Sequence, residues 1–241
     1  MEGIGFRAVL FDLDGTLLDT LTDLADSVNA ALEVIGCPTH PVESYRAFIG
    51  SGARTLVARA LPPDRRDDET VNRCLRIFHD DYRRRWRATT RPYPGIPELL
   101  DALVARGLRM AVFSNKPHEF TVLCVKEMLD RWHFDAVMGQ RDGTPLKPDP
   151  TVALEIAGRL GIESREFVYL GDSATDMQTA RAAGMFPVGA LWGFRTAEEL
   201  RTGGAALLIA KPLELLDLLD RAVADTHGEA PRSNRSGSRG S

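Results

Sequence analysis

Short apolar runs alternate with longer amphipathic segments along most of the 241-residue chain. The runs are rich in strand-forming residues, which predicts strands buried on both faces of a parallel sheet. They are Phe6–Phe11, Arg109–Phe113, Ala136–Met138, Phe167–Leu170, Pro187–Ala190 and Ala206–Ile209. Between most of them lie helical patterns, several ending at a glycine, such as Pro97–Arg106, Thr151–Leu160 and Thr175–Ala183. This alternation predicts an α/β protein whose sheet is covered by helices on both faces.

Residues 19–91 interrupt the alternation, because their pattern is helical throughout. The helices predicted there are Leu21–Ile35, Val42–Phe48, Gly52–Ala60 and Val71–Trp86. A helical block inserted after the first strand predicts a cap over the carboxyl edge of the sheet. The chain is therefore expected to divide into a core of residues 1–18 and 92–225 and a helical cap of residues 19–91. Residues 226–241 are polar and without periodicity, and they are expected to form a disordered tail.

Composition and charge narrow the possible function classes. Hydrophobic residues make up 44% of the chain and charged residues 27%, as in a soluble globular protein. The net charge of −4 argues against a nucleic-acid partner, whose binding surface is usually basic. No apolar run approaches the roughly 20 residues that span a bilayer, and the first residues lack a secretory signal pattern, so a cytoplasmic protein without membrane association is expected. The oligomeric state, monomer or homodimer, is left open.

Polar residues cluster where the predicted strands end. Ligands of open α/β sheets bind in the crevice at the carboxyl ends of the strands, so these positions carry the candidate chemistry. They are Asp12 and Asp14 after the first strand, Ser114 and Asn115 after the second, Lys147 in the loop after the third, and Asp172 and Asp176 after the fourth. Such a set can bind a divalent cation and a phosphate together.

Asp12 and Asp14 are unusual because they follow a strand that is predicted to be buried. Burying an unpaired carboxylate costs roughly several kcal/mol. Two carboxylates about 4 Å apart, at an effective dielectric constant near 20, repel each other by roughly 4 kcal/mol. The pair therefore predicts a positively charged partner at this edge of the sheet.

Four segments resemble, in order, the motifs of the haloacid dehalogenase-like phosphatases: FDLDGTLLD, VFSNK, LKPDP and LGDSATDM. Each lies at or near the end of a predicted strand, and the resemblance extends over nearly the whole chain, including the helical insertion. It implies a Rossmann-like core, Mg²⁺ as the cofactor and an aspartyl-phosphate intermediate.

The resemblance also implies roles for the four acidic residues. Asp12 would be the nucleophile, and Asp14 would be the general acid and then the general base. The carboxylates of Asp12 and Asp172 would bind Mg²⁺ together with the backbone carbonyl of Asp14. Asp176 would hold a metal-bound water or its partner.

Three further residues would bind the phosphoryl group. Ser114 and Asn115 would donate hydrogen bonds to its oxygens. Lys147 would offset the negative charges of Asp12 and of the phosphate, and it is therefore counted with both the catalytic and the phosphate-binding residues.

Two longer segments, FIGSGARTLVARAL and WGFRTAEEL, resemble the phosphoglycolate phosphatase branch. That branch cleaves 2-phosphoglycolate with water into glycolate and phosphate, so the implied partner is a small phosphorylated metabolite. Pyrophosphatases, sugar-phosphate phosphatases and phosphomutases share much of the pattern and stay open as alternatives. A non-catalytic phosphoacceptor module would need neither Asp14 nor a helical cap.

Arg54 departs from this branch, which often has proline or an acidic residue in the same loop. Gly50 and Gly52 allow the backbone of the loop to approach a ligand closely. Two positions are open for the Arg54 side chain. It either points into the cleft, where it would pair with a substrate carboxylate, or faces solvent on the following helix.

Overall fold

The computed structural model describes residues 5–227. Its strands are β1 (Ala8–Phe11), β2 (Leu18–Asp19), β3 (Arg91–Pro92), β4 (Arg109–Pro117), β5 (Ala136–Gln140), β6 (Phe167–Gly171), β7 (Phe186–Ala190) and β8 (Leu207–Ile209). One parallel sheet has the order β5-β4-β1-β6-β7-β8, and β2 pairs antiparallel with β3. The interior place of β1 agrees with its uniformly buried residues.

The helices lie between and after these strands. They are α1 (Leu21–Val34), α2 (Tyr45–Phe48), α3 (Ala53–Ala60), α4 (Asp68–Arg85), α5 (Ile96–Ala105), α6 (His118–Met128), α7 (Thr151–Leu160), α8 (Ala174–Ala182), α9 (Ala197–Gly203) and α10 (Glu214–His227). α4 begins earlier than predicted, because Asp67 caps it by accepting a hydrogen bond from Thr70 N at 2.9 Å. Within residues 5–227, no helix is both long and apolar enough to cross a membrane.

The side chains of β1 alternate between two hydrophobic cores on opposite faces of the sheet. Val9 and Phe11 pack into the core that also contains residues of α1, α4, α5 and α10. Ala8 and Leu10 pack into the second core, which contains Ile156 of α7. The structure confirms the predicted class, a parallel sheet with helices on both faces and a helical insertion.

Asp23 joins the start and the end of the helical insertion. Its buried carboxylate accepts hydrogen bonds from the backbone N–H groups and hydroxyls of Thr89 and Thr90 at 2.7–3.1 Å. The β2–β3 pair lies beside this contact in the chain. The predicted division of the chain into core and cap, at residues 18 and 92, agrees with the position of these contacts and stays a prediction. The predicted tail lies outside the described residues, apart from residues 226 and 227 of α10.

β4 continues to Pro117, so Ser114 and Asn115 belong to the strand rather than to the loop after it. They lie where the pairing of β4 with β5 is irregular, and their side chains accept backbone hydrogen bonds there. The Lys116 N–H donates to Ser114 Oγ at 3.3 Å, and the Lys147 N–H donates to Asn115 Oδ1 at 2.8 Å. Strand propensity depends strongly on such tertiary contacts, which explains why the end of β4 was predicted too early.

Candidate active site

A cavity lies at the carboxyl edge of the sheet, beneath the inserted helices. β4, β1 and β6 are neighbours in the sheet, so the residues at their ends meet there. The lining includes Asp12, Asp14, Ser114, Asn115, Lys147 and Asp172. Apolar side chains of the insertion and of α6 complete it, among them Leu24, Leu56, Phe78 and Phe120. Its water-accessible space is about 50 Å³, room for a few water molecules.

Three buried carboxylates converge at one side of the cavity. Asp12, Asp172 and Asp176 each offer an oxygen within 4.8 Å of the others. The Lys147 ammonium lies between two of them, 2.9 Å from Asp12 Oδ1 and 2.6 Å from Asp176 Oδ1, and it donates to Phe113 O at 3.1 Å. The structure thus supplies the positive partner that the paired acids of the first motif predict.

Lys147 does not fully neutralise the cluster. Burial, followed by the Asp176 carboxylate, raises the pKa of Asp12 to about 7, although Lys147 opposes the rise. Burial and the charges of Asp12 and Asp176 also raise the pKa of Asp172. Burial acts to lower the pKa of Lys147, but its two carboxylate partners outweigh burial and raise it.

A divalent cation suits this excess of negative charge. Hard cations prefer carboxylate and carbonyl oxygens, and the three acids offer oxygens close enough to share one ion. Asp12 and Asp172 line the cavity, so their carboxylates could hold the ion directly. The residues present therefore fit a divalent metal site.

Asp176 is turned toward the protein. Its Oδ2 accepts hydrogen bonds from Ser173 N at 3.0 Å and Ser173 Oγ at 2.5 Å, and its Oδ1 accepts the bond from Lys147. Ser173 and Asp176 together form the capping box that starts α8. This placement agrees with the prediction that Asp176 acts behind the direct metal ligands, a role that stays a prediction.

The loop Trp192–Arg195 positions Asp172. Phe194 N donates to Asp172 Oδ2 at 2.7 Å, and Trp192 Nε1 donates to Thr16 O at 2.9 Å. A Cβ atom at Gly193 would overlap the Asp172 side chain, so the loop can approach this closely only with glycine. The resemblance of this segment to phosphoglycolate phosphatases thus coincides with a direct contact to the candidate metal ligand.

Asp14 lies apart from the cluster and faces two residues that the sequence reasoning missed. Lys116 Nζ is 3.0 and 3.2 Å from the Asp14 carboxylate oxygens and donates to the Tyr82 hydroxyl at 2.8 Å. A signal for Lys116 existed, because residues two apart in a strand share a face and Ser114 was already a candidate. Tyr82 comes from α4, and no local pattern links it to β4.

Ser114 and Asn115 both reach the cavity, but their side chains are engaged differently. Asn115 Nδ2 donates to Gly50 O at 3.0 Å and to Lys147 O at 3.3 Å. Asn115 therefore ties the inserted helices and the Lys147 loop to the sheet, and this placement does not support the predicted contact of its amide with phosphate. The Ser114 hydroxyl oxygen accepts from Lys116 N, and its proton is available to a ligand.

The structure does not bring Arg54 to the other site residues. Its side chain is 49% exposed, pairs with Asp68, and donates to Asn72 Oδ1 at 2.6 Å. α3 buries Ala53, Leu56, Val57 and Ala60, which places Arg54 on another face of the helix. Of the two positions left open for Arg54, the structure has the solvent-facing one, in which the side chain makes a surface contact between α3 and α4 and does not reach a substrate carboxylate in the cavity.

Arginine contacts hold the insertion against the sheet edge. Arg195 donates to Arg46 O and, at 2.7 Å, to Ile49 O. In return, Arg46 Nη1 donates to Gly193 O at 3.1 Å. These contacts close the cavity beside the loop that positions the candidate metal ligand Asp172.

Comparison with known proteins gives a consistent set of relatives. The haloacid dehalogenase-like hydrolase family matches residues 9–190. A phosphoglycolate phosphatase of Nitrosospira multiformis is 39% identical over 74% of this chain and 80% of its own length. An N-acetylmuramic acid 6-phosphate phosphatase of Pseudomonas aeruginosa is 33% identical over 93% of this chain and 100% of its own.

A solved structure of a related protein has the same fold as this chain. It is that of a candidate phosphoglycolate phosphatase from Lactobacillus delbrueckii subsp. bulgaricus, which is 33% identical to this chain. The two superpose with a TM-score of 0.83 over 89% of this chain and 98% of the other. The chain belongs to the haloacid dehalogenase-like hydrolases, as its four motifs predict.

Proposed function

We propose that the protein is a Mg²⁺-dependent phosphatase that hydrolyses 2-phosphoglycolate to glycolate and phosphate through an aspartyl phosphate on Asp12. The observation that carries the proposal is the position of Asp12, whose carboxylate faces the cavity beside Lys147 and Asp172. A buried carboxylate held by a lysine next to a cation site is suited to attack phosphorus.

Asp12 performs the first step. Its Oδ1 accepts a hydrogen bond from Leu13 N at 2.7 Å and forms an ion pair with the Lys147 ammonium at 2.9 Å, so the carboxylate is held while an oxygen attacks. An Asp12 oxygen–phosphorus bond forms as the bond from phosphorus to the ester oxygen breaks. Asp14 donates a proton to the departing oxygen, and glycolate leaves.

Water completes the reaction. Asp14, now a carboxylate, removes a proton from a water molecule that attacks the phosphorus of the aspartyl phosphate. The bond between phosphorus and the Asp12 oxygen breaks, which restores Asp12 and releases phosphate. Asp14 ends the reaction protonated, as it was when it met the leaving oxygen, and it pairs with Lys116 as a carboxylate only in the absence of substrate.

The same residues hold the cofactor and the phosphoryl group. The carboxylates of Asp12 and Asp172 and the backbone carbonyl of Asp14 would hold Mg²⁺, while Asp176 would keep Lys147 and the start of α8 in place behind them. When bound, Mg²⁺ supplies positive charge that offsets the phosphate and the carboxylates. The Ser114 hydroxyl and the Lys147 ammonium would contact the phosphoryl oxygens.

The cavity favours a small leaving group. The space that the centre of a water molecule can reach is only about 50 Å³, which favours the two-carbon glycolate over an N-acetylated sugar acid. The Pseudomonas aeruginosa relative makes N-acetylmuramic acid 6-phosphate the second candidate substrate. That substrate would require the inserted helices to stand farther from the sheet.

A phosphate-release panel with Mg²⁺ tests the proposal. It compares 2-phosphoglycolate with N-acetylmuramic acid 6-phosphate, pyrophosphate, sugar phosphates and nucleotides, and includes p-nitrophenyl phosphate as a substrate of general reactivity. We expect the highest kcat/KM with 2-phosphoglycolate. A higher value for a sugar phosphate would replace the proposed substrate, and absence of phosphate release from every ester would contradict a phosphatase. Transfer of phosphate to a sugar, rather than its release, would identify a phosphomutase.

A further inference from the structure

Two polar side chains in the cavity have no part in the hydrolysis described above. Lys116 of β4 and Tyr82 of α4 both line it, and both are almost completely buried. Lys116 donates to the Tyr82 hydroxyl at 2.8 Å, and its Nζ also lies 4.7 Å from the centre of the Tyr82 ring. Because the hydroxyl accepts this bond, its own proton is available to another acceptor.

The other cations that line the cavity are engaged elsewhere. Lys147 contacts two carboxylates and a backbone carbonyl of the sheet. Arg195 donates to backbone carbonyls of the inserted helices. Lys116 differs, because its anionic partner is Asp14, a residue that hydrolysis requires at the leaving oxygen. Once Asp14 turns to that oxygen, the buried ammonium needs another anion.

The position of Lys116 indicates where that anion would lie. Its Nζ is 3.0 Å from Asp14 Oδ1, and Asp14 is the residue that meets the leaving oxygen. A negative group attached to the carbon atom that bears the leaving oxygen would therefore be within reach of the ammonium. Phosphate esters of 2-hydroxy acids have a carboxylate at this position, whereas simple alcohol esters do not.

We infer that Lys116 and Tyr82 form a carboxylate-binding subsite that selects phosphate esters of short 2-hydroxy acids. The ammonium exchanges Asp14 for the substrate carboxylate, and the Tyr82 hydroxyl donates a second hydrogen bond to it. Because Tyr82 belongs to the inserted helices and Lys116 to the sheet, the carboxylate binds across their contact. The inference rests on the proposed phosphatase activity and adds the residues that recognise the leaving group.

The charge states of the two residues agree with this assignment. Burial acts to lower the pKa of Lys116, but Asp14 and Tyr82 outweigh it, so the pKa is raised and the side chain is an ammonium at neutral pH. Burial also raises the pKa of Tyr82, although Lys116 opposes the rise, so its hydroxyl keeps its proton. A charged donor and a neutral donor side by side suit a carboxylate.

Selectivity between two esters tests the subsite. 2-Phosphoglycolate is compared with ethyl phosphate, in which a methyl group replaces the carboxylate. Lys116→Met is expected to lower kcat/KM for 2-phosphoglycolate by about 100-fold and for ethyl phosphate by less than about tenfold. Tyr82→Phe is expected to lower kcat/KM for 2-phosphoglycolate by about tenfold and kcat/KM for ethyl phosphate by less. Lys116→Arg keeps the charge and should recover part of the selectivity.

Lys126→Met is the matched control, because Lys126 is exposed on α6 and lies outside the cavity lining. It should keep the kcat/KM of the wild type for both esters. Melting curves show whether each variant is folded. If Lys116→Met fails to fold, Tyr82→Phe and Lys116→Arg test the subsite in its place. An unchanged ratio of the two kcat/KM values in both variants would overturn the subsite.

The outcomes separate this inference from the proposed function. Equal losses on both esters would overturn the subsite and assign Lys116 to Asp14 or to the packing of α4. A wild type that cleaves ethyl phosphate as well as 2-phosphoglycolate would overturn the subsite and leave the phosphatase intact. If the wild type prefers 2-phospholactate to 2-phosphoglycolate, and if its preference for 2-phospholactate over ethyl phosphate is lost in Lys116→Met, the subsite is supported and the proposed substrate changes. Inactivity on all esters, p-nitrophenyl phosphate included, would contradict both.

Discussion

The cavity has two halves that are built in different ways. The phosphate half, around Asp12, Lys147 and Asp172, comes from residues at the carboxyl edge of the sheet. The leaving-group half, around Lys116 and Tyr82, exists only where the inserted helices contact the sheet. The residues proposed for chemistry thus all belong to the sheet and its loops, whereas the residues proposed for selectivity also depend on the position of the inserted helices.

The two halves also differ in charge. In the phosphate half, carboxylates outnumber the lysine that faces them, and burial together with the Asp176 carboxylate raises the pKa of Asp12 to about 7. In the leaving-group half, Lys116 is matched by Asp14 in a close pair. The carboxylates of the first half thus suit a divalent cation, whereas the second half would require a new anion only when substrate displaces Asp14. Changes in the first half should affect every substrate, and changes in the second should affect selectivity.

The largest effect is expected from Asp12→Asn in the phosphate half. The amide is nearly isosteric with the carboxylate but cannot act as the nucleophile or as an anionic ligand. We expect kcat to fall by about 10⁴-fold or more with both 2-phosphoglycolate and ethyl phosphate. Phosphate release under saturating Mg²⁺ measures the loss.

Asp142→Asn provides the control, because Asp142 is exposed in the loop after β5 and lies outside the cavity lining. It should keep the wild-type rate. If Asp12→Asn retains more than a few per cent of kcat, or if its loss is confined to one ester, the covalent mechanism is wrong.

Asp172→Asn is expected to separate metal binding from folding. Loss of a partner behind a metal ligand typically weakens binding 10–100-fold, so loss of a direct ligand should raise the Mg²⁺ concentration for half-maximal activity by at least about 100-fold. The same change should stabilise the protein in the presence of EDTA at pH 7.5, because it removes one of the mutually repelling carboxylates.

The stability that Asp172→Asn gains without metal should increase with pH. Asp12 has its pKa raised from 3.8 to about 7, and that of Asp172 is raised as well. A carboxyl group with a higher pKa in the folded state stabilises the fold below about pH 4 and loses that contribution as the pH rises toward 7. The melting temperature of the variant minus that of the wild type should therefore grow from pH 5 to pH 7.5 without metal. A difference that stays constant with pH would exclude carboxylate repulsion as its cause.

Arg195→Ala tests the contact between the sheet edge and the inserted helices. Arg195 donates to carbonyls of the inserted helices, and its loss should favour an open cavity. We expect kcat/KM for 2-phosphoglycolate to fall by about tenfold, mainly through KM, as for the loss of charge-assisted hydrogen bonds. Arg195→Lys keeps the charge without the planar fork and should recover little of the loss. Arg201→Ala, at an exposed position of α9, is the control, and an equal effect there would refute the closing role.

The same division explains what could be predicted from the sequence. The ends of β1 and β6 are readable from local pattern, which predicts Asp12 and Asp172 at the site, and the resemblance of the LKPDP motif adds Lys147, whereas the end of β4 is not readable in this way. The contact of Lys116 with Tyr82 joins residues 34 positions apart on different elements, and it depends on how α4 sits over β4. The hydrophobic pattern of the sequence does not indicate how two separate elements pack against each other. Asn115 was predicted to reach the cavity, but its hydrogen bond to Gly50 O depends on the same packing.

Arg54→Ala is expected to have the smallest effect, and it locates the substrate carboxylate most directly. Arg54 is 49% exposed and its partner Asp68 is 91% exposed, so solvent screens their attraction. We expect kcat/KM to change by less than about twofold with either ester and stability to fall by at most about 1 kcal/mol. A residue that pairs with a buried substrate carboxylate would instead cost about 2–5 kcal/mol with 2-phosphoglycolate alone. Such a selective loss in Arg54→Ala, with Lys116→Met unaffected, would move the carboxylate site to the inserted helices. It would also require those helices to rotate Arg54 into the cavity, because α3 now holds it against α4.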